Sequence, residues 1–205
     1  MTAAPEAVLV LGDSVPGGAV TSATAWPRRV ADRAGAALHT RGSMGTTMVD
    51  LADGTAAALR EALPGENREG TSGGSGGGTV ALVHAGHNDA QLRGDEPRVA
   101  ESEFRAAART VDERLTDAAA VDRHAFLGLV PLLSLESGGV GLGDAQPDRS
   151  LGYDRALGET VSTHLPVARP VKAWRERTAD GVHPNEAGHA ALADRVTAWL
   201  EDGRC

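Results

Sequence analysis

Two short polar clusters have the residue types and spacing for nucleophilic chemistry: Gly12-Asp13-Ser14 near the start and Asp180-Gly181-Val182-His183-Pro184-Asn185 near the end. A serine hydroxyl is a weak nucleophile until a base takes its proton. An imidazole serves as that base when an acid fixes its ring. An Asp and a His three residues apart in a loop can bond through carboxylate and Nδ1–H, leaving Nε2 to act as base. Ser14, His183 and Asp180 are therefore the candidate nucleophile, base and orienting acid. The same residues also fit a plainer role, since Asp-Ser is a common helix cap and the second cluster could be a solvated turn before the last helix.

Gly86-His87-Asn88-Asp89 adds an Asn amide of the kind that donates to a developing oxyanion, although an isolated Asn-Asp pair also makes ordinary Asx-turns. In Arg41-Gly42-Ser43-Met44-Gly45-Thr46-Thr47 the glycines let the backbone approach a ligand closely. His84 and His87 form an H-x-x-H pair with no third ligand nearby in sequence, so no metal site is expected. Two G-x-S-x-G matches, Gly70–Gly74 and Gly73–Gly77, lie in a Gly/Ser run. A nucleophile elbow needs a strand before its serine and a helix after it, and here the order is reversed.

The elements that must position these groups alternate. Strands are expected at Ala7–Leu11, Ala36–Thr40, Thr79–His84 and Ala125–Val130, with a weaker one at Leu165–Val167. Phe104, Ala107, Val111 and Leu115 recur on one face of a helix over Arg98–Ala119. Leu192, Val196, Trp199 and Leu200 do the same for the last helix, with Asn185 placed to cap it. Strands alternating with helices argue for a mainly parallel five-stranded sheet covered on both faces, in an α/β fold. Ligands then bind outside the carboxyl ends of the strands, which is where the polar clusters fall. A helix directly after Ser14 would turn its backbone N–H groups toward such a ligand. Residues 70–78 read as a flexible Gly/Ser loop. The segment Pro131–Ser150, with Leu132, Leu133 and Leu135, reads as a long loop that shapes the substrate pocket.

At 205 residues the chain is expected to form one domain over 1–205, without internal repeat. A net charge of −8 disfavours nucleic acid and anionic membranes as partners. The one cysteine, Cys205, is the last residue, which excludes an internal disulfide and offers a poor setting for a thiol nucleophile. The N-terminus has no basic stretch, and its apolar run is too short for a signal peptide or membrane span, so a cytoplasmic location is expected. Oligomeric state is not legible.

Taken together, Gly12-Asp13-Ser14 with Gly18, Gly45 within Gly42–Thr47, Gly86–Asp89 and Asp180–Asn185 resemble the sequence blocks of the SGNH, or GDSL-type, hydrolase superfamily. The similarity runs from the first strand to the last helix. It implies a flavodoxin-like three-layer α/β/α sandwich and a serine hydrolase needing no cofactor. It further implies an acyl-serine intermediate, with an oxyanion hole from the Ser14 and Gly45 N–H groups and the Asn88 amide. Met44 stands where the family usually has a serine, so Gly42 remains an alternative donor. His87 replaces a small residue or Thr and is expected, with Asp13, to border the substrate; Asp13 does so mainly by shaping the turn. The expected substrate is a small carboxylic ester or thioester. A carbohydrate O-acetylesterase and a non-catalytic ligand-binding module that kept the fold are the alternatives.

Overall fold

Strands buried on both faces of a parallel sheet read as unbroken apolar runs, and two such runs form its centre. Strand β1 (Ala7–Gly12, AVLVLG) lies beside β3 (Thr79–His84, TVALVH), in register from Ala7–Thr79 to Gly12–His84. Strand β2 (Ala37–Arg41) flanks β1, while β6 (Val121–Leu127) and the short β7 (His164–Leu165) extend the other side. All four pairings are parallel and the order is β2-β1-β3-β6-β7. Edge strand β2 carries His39, Thr40 and Arg41 and is only partly buried, as suits an edge that must not recruit another strand. Residues 92–93 (β4) and 96–97 (β5) make a separate antiparallel pair. The computed structural model describes residues 4–62, 78–93, 96–133 and 146–202.

Alternation along the strands sends side chains to two cores. On one face Leu9, Leu11, Ala81, Val83 and Phe126 pack under α2 (Met48–Ala62), α4 (Glu101–Asp117) and α5 (Gln146–Gly158). On the other, Val8, Val10, Leu82 and Leu127 meet α1 (Trp26–Ala34), α6 (Trp174–Arg177) and α7 (Glu186–Asp202). A one-turn helix α3 (His87–Ala90) follows β3. The result is the three-layer α/β/α sandwich. Local chemistry fixes the helix starts. Pro27 opens α1, where a missing N–H costs nothing. Thr47 and Asp50 bond reciprocally at the head of α2, Thr47 N–H to Asp50 Oδ2 at 2.8 Å and Asp50 N–H to Thr47 Oγ1 at 3.2 Å. The Asn185 carbonyl oxygen accepts from the N–H groups of Ala187 (3.0 Å) and Gly188 (3.1 Å), capping α7 as expected.

Several boundaries differ from the sequence expectation. Strand β6 spans Val121–Leu127, not Ala125–Val130. Its polar first half is held in the sheet by specific partners: Arg123 lies 4.3 Å over the Trp199 ring, and His124 Nε2 is 2.7 Å from Asp112. Beyond Leu127 the backbone leaves the ladder, and the N–H groups of Leu129 and Val130 donate to Asp154 and His87. The helix expected over 98–119 starts at Glu101, because the N–H groups of Arg98 and Val99 donate to the carbonyls of Gln91 and Asp89. No helix follows Ser14 directly: residues 14–20 form turns. The 131–150 loop is also shorter than expected, since Gln146–Ser150 is the first part of α5. Leu132 is fully buried in the core beside Phe104 and Leu129 rather than in a substrate pocket. Residues 134–145, including Leu135, and residues 70–77 of the Gly/Ser segment lie outside the described residues, as does Cys205.

Candidate active site

The turn after β1 is built around Gly12, where a Cβ would sit 2.3 Å from the Pro16 ring and 2.6 Å from the His84 carbonyl oxygen. Only glycine lets β1 end this close to β3. Asp13 follows, its side chain buried. Its Oδ1 accepts from the Val15 N–H at 2.8 Å, and its Oδ2 lies 2.9 Å from His87 Nδ1. Because His87 Nε2 accepts from the Val130 N–H at 2.9 Å, the ring proton belongs on Nδ1 and is donated to Asp13. Burial works to raise the Asp13 carboxyl, but the charge and hydrogen bond of His87 outweigh it and hold the group below the usual carboxylate range.

Ser14, next along, has its hydroxyl 3.0 Å from His183 Nε2, joining residues 169 positions apart in the chain. His183 Nδ1 lies 2.7 Å from Asp180 Oδ2. The other carboxylate oxygen accepts from the backbone N–H groups of Val182 (3.0 Å) and His183 (2.8 Å). Burial pushes the Asp180 carboxyl upward, yet the backbone and side-chain hydrogen bonds of His183 prevail and keep it below its ordinary value. The loop that carries this pair is clamped at both ends. Thr178 bridges Pro184, the Ala179 N–H donates to the His183 carbonyl, and the Leu133 N–H donates to the Gly181 carbonyl at 2.8 Å. A serine hydroxyl, an imidazole with its far nitrogen facing it, and a carboxylate on the near nitrogen thus form one hydrogen-bonded chain. Such a chain can move a proton off the hydroxyl as the oxygen bonds to carbon.

The loop after β2 and the start of α3 supply the other polar groups. Asn88 Nδ2 donates one hydrogen to the Thr46 carbonyl at 2.9 Å, which orients the amide and leaves its second hydrogen to offer. Gly45 has φ +85°, and its N–H, like that of Ser14, meets no acceptor among the described residues. Gly42 is accounted for by packing: at φ +123°, a Cβ there would fall 1.7 Å from the Gly12 carbonyl oxygen. Gly42 therefore joins the second strand's loop to the first, and Gly45 keeps the unengaged donor.

The structure corrects the expectation for Asp13 and His87. Both are buried, and each carboxylate oxygen and each ring nitrogen is already engaged within the protein. They brace the turn from behind and have nothing to present to a substrate. His84 points elsewhere, accepting from the Trp26 indole N–H at 3.2 Å. Three residues escaped the sequence reading. Thr46 orients Asn88 through a backbone atom, a role its identity does not announce. Asp89 accepts from the Met48 N–H with both oxygens, at 3.1 and 3.0 Å, and so ties the start of α2 to the strand carrying Asn88. Arg98 Nη1 is 3.9 Å from where a Gly45 Cβ would stand, and its charge is felt at Asp50 and Asp89.

Comparison with known proteins is consistent with this geometry. The profile of the GDSL-like Lipase/Acylhydrolase family matches residues 10–191. Among solved structures, an acetylxylan esterase from Geobacillus stearothermophilus is similar in fold with a TM-score of 0.69 at 17% identity, covering 98% of this chain and 96% of that one. Mutants of that esterase described as catalytic replace a serine, an aspartate and a histidine. A GDSL-like lipase from Bacteroides thetaiotaomicron matches with a TM-score of 0.65 at 16% identity, over 97% of this chain and 89% of the other. An alpha/beta hydrolase enzyme from the metagenome of Lake Arreo, Spain, gives 0.66 at 16% identity, over 97% and 96%. Comparison with curated proteins gives no sequence match.

Proposed function

The chain belongs to the GDSL-like lipase/acylhydrolase family and is an SGNH-type esterase, and on that premise we propose that it cleaves a small carboxylic ester or thioester through an acyl-serine intermediate. The observation that carries the reading is the unbroken chain from the Ser14 hydroxyl through His183 to Asp180, with links of 3.0 and 2.7 Å. Ser14 Oγ bonds to the acyl carbon while its proton passes to His183 Nε2. Asp180 holds the ring and stabilises the imidazolium. The carbonyl oxygen becomes an oxyanion received by the N–H groups of Ser14 and Gly45 and the free hydrogen of Asn88. Collapse breaks the bond to the leaving oxygen or sulfur, which takes the proton from His183. Water then attacks the acyl-serine with His183 again as base, and the acid departs. No step draws on a metal or organic cofactor.

A second reading, removal of acetyl groups from a carbohydrate, is suggested by the acetylxylan esterase of like fold. The aromatic residues weigh against it, since sugar rings commonly bind by stacking. Trp26, Trp174, Phe104, Phe126 and Tyr153 are all buried, and Trp199 lies under Arg123 on the last helix. A fluorophosphonate probe, followed by a panel of p-nitrophenyl esters, acyl-CoA thioesters and acetylated xylo-oligosaccharides, tests both readings. Labelling confined to Ser14, with ester or thioester turnover above that of the acetylated sugar, is expected. Absence of labelling would favour a non-catalytic binding module on the same fold.

A further inference from the structure

Gly54 lies inside α2, where glycine is less favourable than alanine. Nothing around it demands glycine: its φ is not left-handed, and an added Cβ would meet no heavy atom within 4 Å. It borders an open-sided cavity of about 280 Å³ between α2 and edge strand β2. Leu11, Leu51 and Ala58 give this cavity apolar walls. The charged groups around it have partners already, Arg41 Nε at 3.3 Å from Glu61 and Asp50 on Thr47. Its remaining wall includes Gly42 and Thr46. Gly42 packs on the Gly12 carbonyl, two residues before Ser14, and the Thr46 carbonyl holds the Asn88 amide. The cavity and the reaction centre therefore share a partition. The rim is apolar as well. The large aliphatic side chains most exposed among the described residues are Val20 (59%) and Met44 (75%), on the loops after Ser14 and before Gly45.

We propose that this cavity receives the acyl chain of the substrate and that Gly54 helps set the chain length accepted. The proposal rests on the esterase reading of Ser14. The walls fit a hydrocarbon, whereas a sugar would leave hydroxyls unpaired against Leu11, Leu51 and Ala58. The volume is nearly twice the ~150 Å³ that admits benzene, which suits an unbranched chain on the order of six to ten carbons. Burying each further methylene is then worth about threefold to fourfold in kcat/KM until the cavity is full.

The test is kcat/KM for p-nitrophenyl esters from acetate to decanoate, measured on the wild type and on Gly54→Leu and Gly54→Ala. In the wild type the value should climb with chain length to hexanoate or octanoate and then level. In Gly54→Leu the octanoate-to-acetate ratio should fall at least tenfold. Gly54→Ala, with one methyl and better helix propensity, should shift the ratio by about threefold and covers the case in which the leucine variant does not fold. Ratios within twofold of wild type in the folded variants, or a wild type whose rate does not rise beyond acetate, overturn the proposal while leaving Ser14 as nucleophile. A wild type that neither cleaves any ester nor reacts with an ethyl fluorophosphonate removes the esterase reading, and the acyl pocket with it.

Discussion

At the scale of single residues, the site separates groups that react from groups that brace. Asn88 is posed by a bond to the Thr46 carbonyl and has one hydrogen left for an oxyanion. Loss of one such donor typically lowers kcat by about 10² to 10³. Asn88→Ala should fall by that amount with little change in KM, and an unchanged kcat would remove Asn88 from the oxyanion hole. Asp13 and Asp180 are both carboxylates bonded to a histidine, but they differ in what the histidine faces. Asp180 orients a ring whose other nitrogen meets Ser14, whereas the partner of Asp13 ends on the Val130 N–H. Asp180→Asn should therefore cost far more kcat than Asp13→Asn, which should show mainly as a lower melting temperature. Equal losses of kcat in the two variants would refute that division. Sequence alone exposes the chemistry of such residues but not their burial. His87 lies 74 positions from Asp13, and only the folded chain shows that the pair turns inward.

At the scale of elements, two glycines in one loop do different work. Gly42 holds the loop after β2 against the end of β1, and a methyl group there collides with the Gly12 carbonyl. Gly45 has open space around its Cβ position and is constrained only by its φ of +85°. Gly42→Ala should displace the strand end that carries Ser14, lowering both melting temperature and activity. Gly45→Ala should fold with a penalty of roughly 1–3 kcal/mol for its strained backbone and lose activity through a misdirected N–H. Thermal melts beside kcat for the two variants check this, and a Gly42→Ala protein as stable and active as wild type would contradict it. The central strands and the final helix were legible because burial on both faces, or on one face, writes a periodic apolar signature. Strand β6 was misplaced because its first half, Val121–His124, is kept in the sheet by Trp199 and Asp112, partners supplied by distant helices. The turn after Ser14 was misread for a related reason. Asp13 does resemble a helix cap, but its oxygens accept from Val15 and His87 in a tight turn and no helix begins there.

At the scale of the whole molecule, the three layers enclose titratable groups whose protonation must follow folding. Trp26 donates its indole N–H to His84 Nδ1 at 3.2 Å and its backbone N–H to His189 Nδ1 at 3.3 Å. Both rings are thus fixed as neutral acceptors between the sheet and α1. Burial drives the His84 imidazole down to about 3, and burial with the nearby Arg29 charge drives His189 down to about 4. In the unfolded chain each would titrate near ~6.5. As pH falls below that value the unfolded state takes up protons that the folded state refuses, so each histidine lowers stability until its folded value is reached. Asp89 acts in the opposite sense. Burial pushes its carboxyl up to about 7, so between there and the unfolded value near ~3.9 the folded state keeps a proton that the unfolded state releases. It contributes stability that grows as pH falls through this window. Two histidines against one aspartate leave a net loss on acidification, of up to roughly 1.4 kcal/mol per pH unit between about 6 and 4. Denaturant melts at pH 7, 5.5 and 4.5 should show this decline. Asp89→Asn keeps an oxygen for the Met48 N–H but cannot take the compensating proton, so its decline should be steeper than that of wild type. A wild-type stability that stays level or increases over this range would mean that the Trp26 histidine pair is open to solvent protons and that the core between β1, α1 and α7 is looser than its packing implies.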